Sequence, residues 1–301
     1  MVPPLFAGLV DDASVLPPSM LGVVEAVAGF RRHGQAWYHD LIGSFLLPAS
    51  LTGFDPATLG NPESVKPESV KPESGQPESG QPDLPISVVG DVGIGALPAT
   101  VAKLRANGAV VPRVEAAVAR RGEDPQPGLA ALRRLTADHQ DLDVYAEIPL
   151  SWGLLAALDT VATARAEGQR LAPKFRVGGL AAELFPTPVE LAAVICACRD
   201  RQLPFTFAAG GWHALRHTDP ETGFTHHGFL NVLVATGDAA EGGEVADVAE
   251  SLGATHPVPL VEPARARRDQ PRPLWVGFGA PSVLEPLTEL IRLGLINGGF
   301  E

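Results

Sequence analysis

The chain has 301 residues, 45% of them hydrophobic and 19% charged, and carries a formal net charge of -12. This balance supplies ample material for a core and excludes a disordered or fibrous chain. The acidic excess also argues against nucleic acid or an anionic membrane as the main partner, because both reward clustered Lys and Arg.

The first residues, MVPPLFAGLVDDAS, have no basic region ahead of a short apolar run that meets two aspartates at once. They do not read as a signal peptide, and no apolar stretch reaches the roughly 20 residues that span a bilayer. The two cysteines, Cys196 and Cys198, lie two apart in a helical pattern, which points them to different faces and disfavours a mutual disulfide. A soluble chain in a reducing cytoplasm is the expectation, with no membrane or nucleic-acid partner.

In chain order, LFAGLV (5–10) predicts a first strand, followed by a helical pattern over 19–33. LIGSFLLP (41–48) predicts the second, with a short helix over 52–59. Residues 61–83 then repeat a PES unit with almost nothing to bury, so this tract predicts a disordered insertion in a surface loop. ISVVG (86–90), RVEAAV (113–118) and VYAEIP (144–149) predict three further strands, alternating with helices over 96–107, 126–139 and 151–167. KFRVG (174–178) is followed by the best-marked helix, 187–201, where Thr187 is the N-cap, Pro188 the first helical residue and Glu190 completes a capping box. PFTFAAG (204–210), a helix over 227–250, a Pro- and Arg-rich connection over 251–273, LWVGFG (274–279) and a helix over 283–294 complete the pattern.

Eight strands, each followed by a helix, predict a parallel eight-stranded (β/α)8 TIM-type barrel occupying 1–301 as one domain. An open doubly wound parallel sheet is the alternative.

Alternate residues of a barrel strand face the interior and the helix layer. By that parity Lys174 and Arg176 share the inner face of the sixth strand, Glu147 and Tyr145 that of the fifth, and Arg113 and Glu115 that of the fourth. Burying five such charges merely to fill a core is costly, since apolar side chains would serve stability as well. They are therefore read as a functional site, the alternative being a self-neutralising network that binds nothing. The loops after the last strands add Gly178, Gly179, Gly210, Gly211, Gly279 and Ser282, whose backbone amides could approach an anion, with His213, Arg216 and His217 nearby in sequence. A small anionic ligand at the C-terminal mouth is the expected partner.

His213 and His217, four apart, would share a helix face, and His226 and His227 follow. No H-E-x-x-H pattern accompanies them, so no metal is assigned. Asp11, Asp12 and Asp91 read as caps or turn residues, and His39 and Asp40 as loop residues. A G-x-S-x-G elbow and a G-x-G-x-x-G fingerprint are both missing, which argues against a serine triad and a nicotinamide cofactor; no cofactor is expected.

The segment KFRVGG, with FPTPVELAAVICACRDRQLPFTFAAGG, resembles the lysine-bearing strand, helix and next strand of class I aldolases over some forty residues. The resemblance implies a barrel in which Lys174 forms a Schiff base with a carbonyl substrate. The family carries a small hydroxyl residue two positions after its lysine, where this chain has Arg176. On that basis Lys174, Glu147 and Glu115 are the candidate catalytic residues, with Arg176 and Arg113 among those binding substrate. The whole chain, including HTDPETGFTHHGFLNVLVA, is similar to a bacterial family of predicted barrels of uncharacterised activity. The functional expectation is a lyase-like enzyme for a phosphate- or carboxylate-bearing molecule; the alternatives are a non-catalytic ligand-binding barrel and a metal-dependent hydrolase or isomerase.

Overall fold

A computed structural model describes residues 1–53, 84–210 and 212–298. The PES repeat and most of the helix expected over 52–59 lie outside the described residues. Eight parallel strands close a barrel: β1 (Val10–Asp12), β2 (Ile42–Pro48), β3 (Pro85–Val89), β4 (Val110–Ala117), β5 (Asp143–Glu147), β6 (Leu171–Arg176), β7 (Phe205–Ala208) and β10 (Trp275–Ala280). Their order around the ring is β1-β10-β7-β6-β5-β4-β3-β2, so β10 sits between β7 and β1. The remaining strands, β8 (His217–Thr218) and β9 (Thr225–His226), form a small antiparallel hairpin in the long loop after β7. This is the (β/α)8 architecture, and the open sheet is excluded by the closed ring.

The strands exist because their outer faces are continuously apolar and bury against helices. Ile86 and Val88 on β3, Val114 and Ala116 on β4, Val144 and Ala146 on β5, and Phe175 on β6 all join one core cluster. The helices covering them are α1 (Val23–Gly34), α2 (Leu97–Ala106), α3 (Gln126–Asp138), α4 (Leu154–Ala166), α5 (Pro188–Asp200), α6 (Phe229–Ala240), α7 (Val245–Gly253), α8 (Val258–Ala266) and α9 (Leu284–Arg292). The capping box at α5 forms as its residues predict: the Thr187 hydroxyl accepts from the Glu190 amide, and the Glu190 carboxylate accepts from the Thr187 amide at 2.7 Å.

Three expectations are corrected. The first apolar run does not form a strand over 5–10: Pro4–Phe6 makes a 3-10 turn, and the strand begins at Val10 and continues through both aspartates. The helix expected over 227–250 is two helices. Gly242 takes φ +96, a left-handed conformation open to glycine, and Glu244 caps the next helix with Asp247. The connection over 251–273 contains α8, hidden in the sequence by Pro257, Pro259 and Pro263; the first two cost little at a helix start because those amides have no helical partner, whereas Pro263 lies inside the helix.

Helix α6 is buried on nearly every side, from Phe229, stacked on Phe278 of β10, to Ala239. Helices α7 and α8 pack against it, and Asn231 in its first turn donates to the carbonyls of Ser251 and Ala254 at 2.8 and 2.7 Å. Arg272, just before β10, clamps the opposite end of the chain. Its guanidinium donates to the carbonyls of Leu5 (2.7 Å), Ala7 (3.1 Å), Trp275 (2.8 Å) and Val276 (2.5 Å). Burial pushes its pKa down to about 10, so it remains a cation at neutral pH. Among the described residues no helix is long and apolar enough to cross a membrane.

Candidate active site

Parity puts the polar residues of the strands inside the ring. The pairing Arg113 with Asp143, Glu115 with Tyr145, and Glu147 with Lys174 sets neighbouring side chains at matched heights, because register partners in a parallel sheet share a face. Three ion pairs result. Deepest, Arg113 donates to Asp11 of β1 at 2.7 Å, and the other Asp11 oxygen accepts the Ser44 amide at 2.6 Å. Gly43 makes room for that carboxylate, since a Cβ there would collide with it. Above them the Lys174 ammonium donates directly to Glu115, each residue being only 5% exposed. At the ends of the strands Arg176 donates to Glu147 at 2.8 Å, and its side chain is 42% exposed.

The inner groups act on one another. The Arg113 guanidinium lies 5.1 Å from the centre of the Tyr145 ring, a cation–π distance. Burial works against the Arg113 cation, but the charge of Asp11, with Tyr145 and Glu115, outweighs it and raises the Arg113 pKa. Burial also raises the Tyr145 phenol, keeping it neutral. Ser87, the register partner of Arg113, is wholly buried with a hydroxyl that has no partner among the described residues. The lumen is thus a polar, charge-balanced interior containing a primary amine in contact with a carboxylate.

The rim pair opens into a cleft of about 480 Å³ at the C-terminal ends of β4 to β6, lined also by Arg120, Arg121, Leu180 and Glu183. Lys174, Glu115 and Glu147 come together only in part: Glu115 touches the lysine, whereas Glu147 pairs with Arg176. The carboxylate partner of Arg113 is Asp11, expected from sequence to be a cap or turn residue. Asp12 does serve a turn, accepting the Ser14 amide at 2.9 Å. Asp91 accepts the Ser50 amide at 3.0 Å, and His39 and Asp40 sit in an exposed turn beside β2.

The glycines serve close packing. A Cβ on Gly178 would lie 2.5 Å from the Ala209 carbonyl oxygen, so the turns after β6 and β7 meet there backbone to backbone. Gly179 makes way for Leu184, Gly210 adopts φ +105, and Gly279 faces Leu46 inside the ring. Ser282 lies in the turn between β10 and α9, and Gly211 falls outside the described residues.

The histidines are elsewhere. His213 and His217 are not on a helix: His217 begins β8, where its ring stacks on that of His226 at 5.2 Å, and His213 meets it edge-on at 4.6 Å. His213 and His217 line a separate cavity of about 360 Å³ with Glu289 and Arg292, and His213 contacts Glu289 at 3.0 Å. Among the described residues no group of three or more His, Cys, Asp or Glu is placed to hold a metal ion. Arg216 points to His227, 3.3 Å away, and its amide donates to Asn231.

His227 itself is a buried strut, its Nε2 2.7 Å from the Pro186 carbonyl oxygen. Burial pushes its pKa from the ordinary 6.5 down to about 4. The unfolded chain therefore takes up this proton at a higher pH than the folded one, and stability falls as the pH drops from 6.5 toward 4. The loss attributable to this group is about 3 kcal/mol. Asp12, whose carboxyl is raised by burial, acts with the opposite sign. Urea titrations at pH 7 and pH 4.5 are expected to show a smaller acid loss in His227→Gln than in the natural chain; equal losses would contradict this assignment.

Neither Asp11 nor Tyr145 is among the site residues expected from sequence, although both lie beside Arg113. Tyr145 lay on the Glu147 face of the fifth strand, and the Val-Asp-Asp order placed Asp11 on the face opposite Val10 once the strand was extended. Comparison of the chain with protein-family models and with curated proteins returns no match.

Proposed function

We propose that the protein is a small-molecule enzyme of lyase-like chemistry, which joins the carbonyl carbon of an anionic substrate to Lys174 as an imine. The observation that carries the reading is the contact between the Lys174 ammonium and the Glu115 carboxylate inside the barrel, two residues along β6 from Arg176, which lines the open cleft. A lysine must be neutral to attack, and a carboxylate in direct contact is the acceptor for its proton. The amine then adds to the carbonyl carbon, and protonated Glu115 returns the proton to the resulting hydroxyl, which leaves as water. The imine that remains withdraws electrons from the neighbouring carbon, so a bond there can break and its electron pair be held. Arg176, at the rim and partly exposed, is the cation placed to exchange Glu147 for the anionic group of the substrate.

A second reading, a ligand-binding barrel without turnover, draws on the completeness of the pairing, since Arg113 and Lys174 each already face a carboxylate. Borohydride reduction in the presence of short 2-oxo acids and phosphorylated aldehydes separates the two. Peptide mass analysis is expected to find the reduced adduct on Lys174 and none in Lys174→Arg. A folded natural chain that gains no adduct from any member of the panel would rule out the imine and leave the binding barrel.

A further inference from the structure

A second cavity adjoins the mouth. It has a volume of about 490 Å³ and lies between the start of α4 and the exposed side of α5, walled by Leu154, Leu155, Phe185, Pro186, Ala193 and Val194. It shares Arg121, Leu150 and Glu183 with the cleft that contains Glu147 and Arg176, so the two spaces meet along one wall. Apolar side chains are left uncovered around this junction, notably Trp152 at 66% and Leu180 at 98% exposure. Such clustered exposure in a concave region marks a surface that gains from being covered.

The shared wall is built around a cation. Arg121 is held in place by Nη1, which donates to the carbonyls of Leu150 at 3.1 Å and Glu183 at 3.2 Å. It makes no ion pair with the described residues; of the acids lining the two spaces, Glu147 pairs with Arg176, Glu190 holds the amide and hydroxyl of Thr187, and Glu183 meets Arg121 through its main-chain carbonyl. The Arg121 charge is nevertheless felt across the cavity, where it helps to lower the Glu190 pKa behind the larger effect of the Thr187 hydrogen bonds. An apolar chamber with a positioned guanidinium at its opening, beside the reactive mouth, fits one kind of molecule.

We infer that the substrate is an amphipathic carbonyl acid: a carboxylate or phosphate at Arg121 and Arg176, the carbonyl directed into the barrel, and an alkyl or aryl tail lying in the chamber between α4 and α5. The inference rests on the imine reading for the placing of the carbonyl, while the tail site itself depends only on the chamber and Arg121. Covering a methylene in such a chamber strengthens binding about threefold to fourfold.

The test is a series of straight-chain 2-oxo acids from 2-oxobutanoate to 2-oxododecanoate, measured by calorimetric titration of the full chain. Affinity is expected to rise about threefold to fourfold per added methylene until the chamber is filled, then to level off. Ala193 is exposed on the chamber wall, so Ala193→Trp fills the space without touching the core. In that variant the dependence on chain length is expected to flatten while 2-oxobutanoate binds as before. Arg121→Gln is expected to weaken every acid about tenfold and to keep the slope, the loss of one charge-assisted contact. A flat series in the natural chain, or a slope that survives Ala193→Trp, overturns the tail site. Borohydride trapping of Lys174 by 2-oxobutanoate, run in parallel, keeps the two ideas apart. Trapping with a flat series removes only the tail site; a normal slope without trapping removes only the imine.

Discussion

Glu115→Leu alone is expected to lower the free energy of unfolding by about 3 to 5 kcal/mol, whereas Lys174→Met combined with Glu115→Leu should recover most of the loss. Both side chains are buried and in contact, so removing one leaves an uncompensated ion with little access to water. Removing both leaves an apolar pair of similar volume, which costs little. Urea unfolding of the single and double variants at pH 7 measures the effect. Additive losses in the double variant would mean that the two groups do not depend on each other.

The second large effect is expected at Arg272. Arg272→Leu deprives the carbonyls of Leu5, Ala7, Trp275 and Val276 of their donor in one step. At about 1 kcal/mol for each bond, and more where the oxygen is closed off from water, the expected loss is about 3 to 5 kcal/mol. Arg272→Lys should recover only part of it, because an ammonium offers a point charge where four carbonyls need a planar fork. Chemical denaturation gives the magnitude, and faster proteolytic cleavage within the first ten residues gives the location. A variant as stable as the natural chain, with its first residues equally protected, would show the clamp to be idle.

The ring itself was legible because its outer strand faces are unbroken apolar runs bounded by turns, a pattern with a single structural meaning once eight of them alternate with helices. The inner charges were legible for a related reason: period-two alternation fixes which side of the ring Lys174, Glu115 and Arg113 must face. Their partners were not. Whether Lys174 meets Glu115 or Glu147 depends on the stagger between strands, which no single strand encodes, and Asp11 reaches Arg113 across a closure invisible in the linear chain. The histidines misled because a spacing of four suggests a helix only where a helix forms, and the segment before Phe229 folds as a hairpin loop instead. Helix α8 was hidden by its prolines, and the end of α6 by the continuity of the pattern across Gly242 and Gly243.

The place of β10 between β7 and β1 has a consequence for how the chain can be divided. Any fragment ending before Trp275 leaves two strands with bare amide and carbonyl rows facing one another across a gap, and such open borders recruit foreign strands. The same fragment strips Phe229 of its stacking partner, so the greasiest cylinder of the molecule loses its floor at the same moment. Half-molecules of this barrel are therefore sticky intermediates and not independent units, and the ring acquires its closed shape only when its clasp arrives.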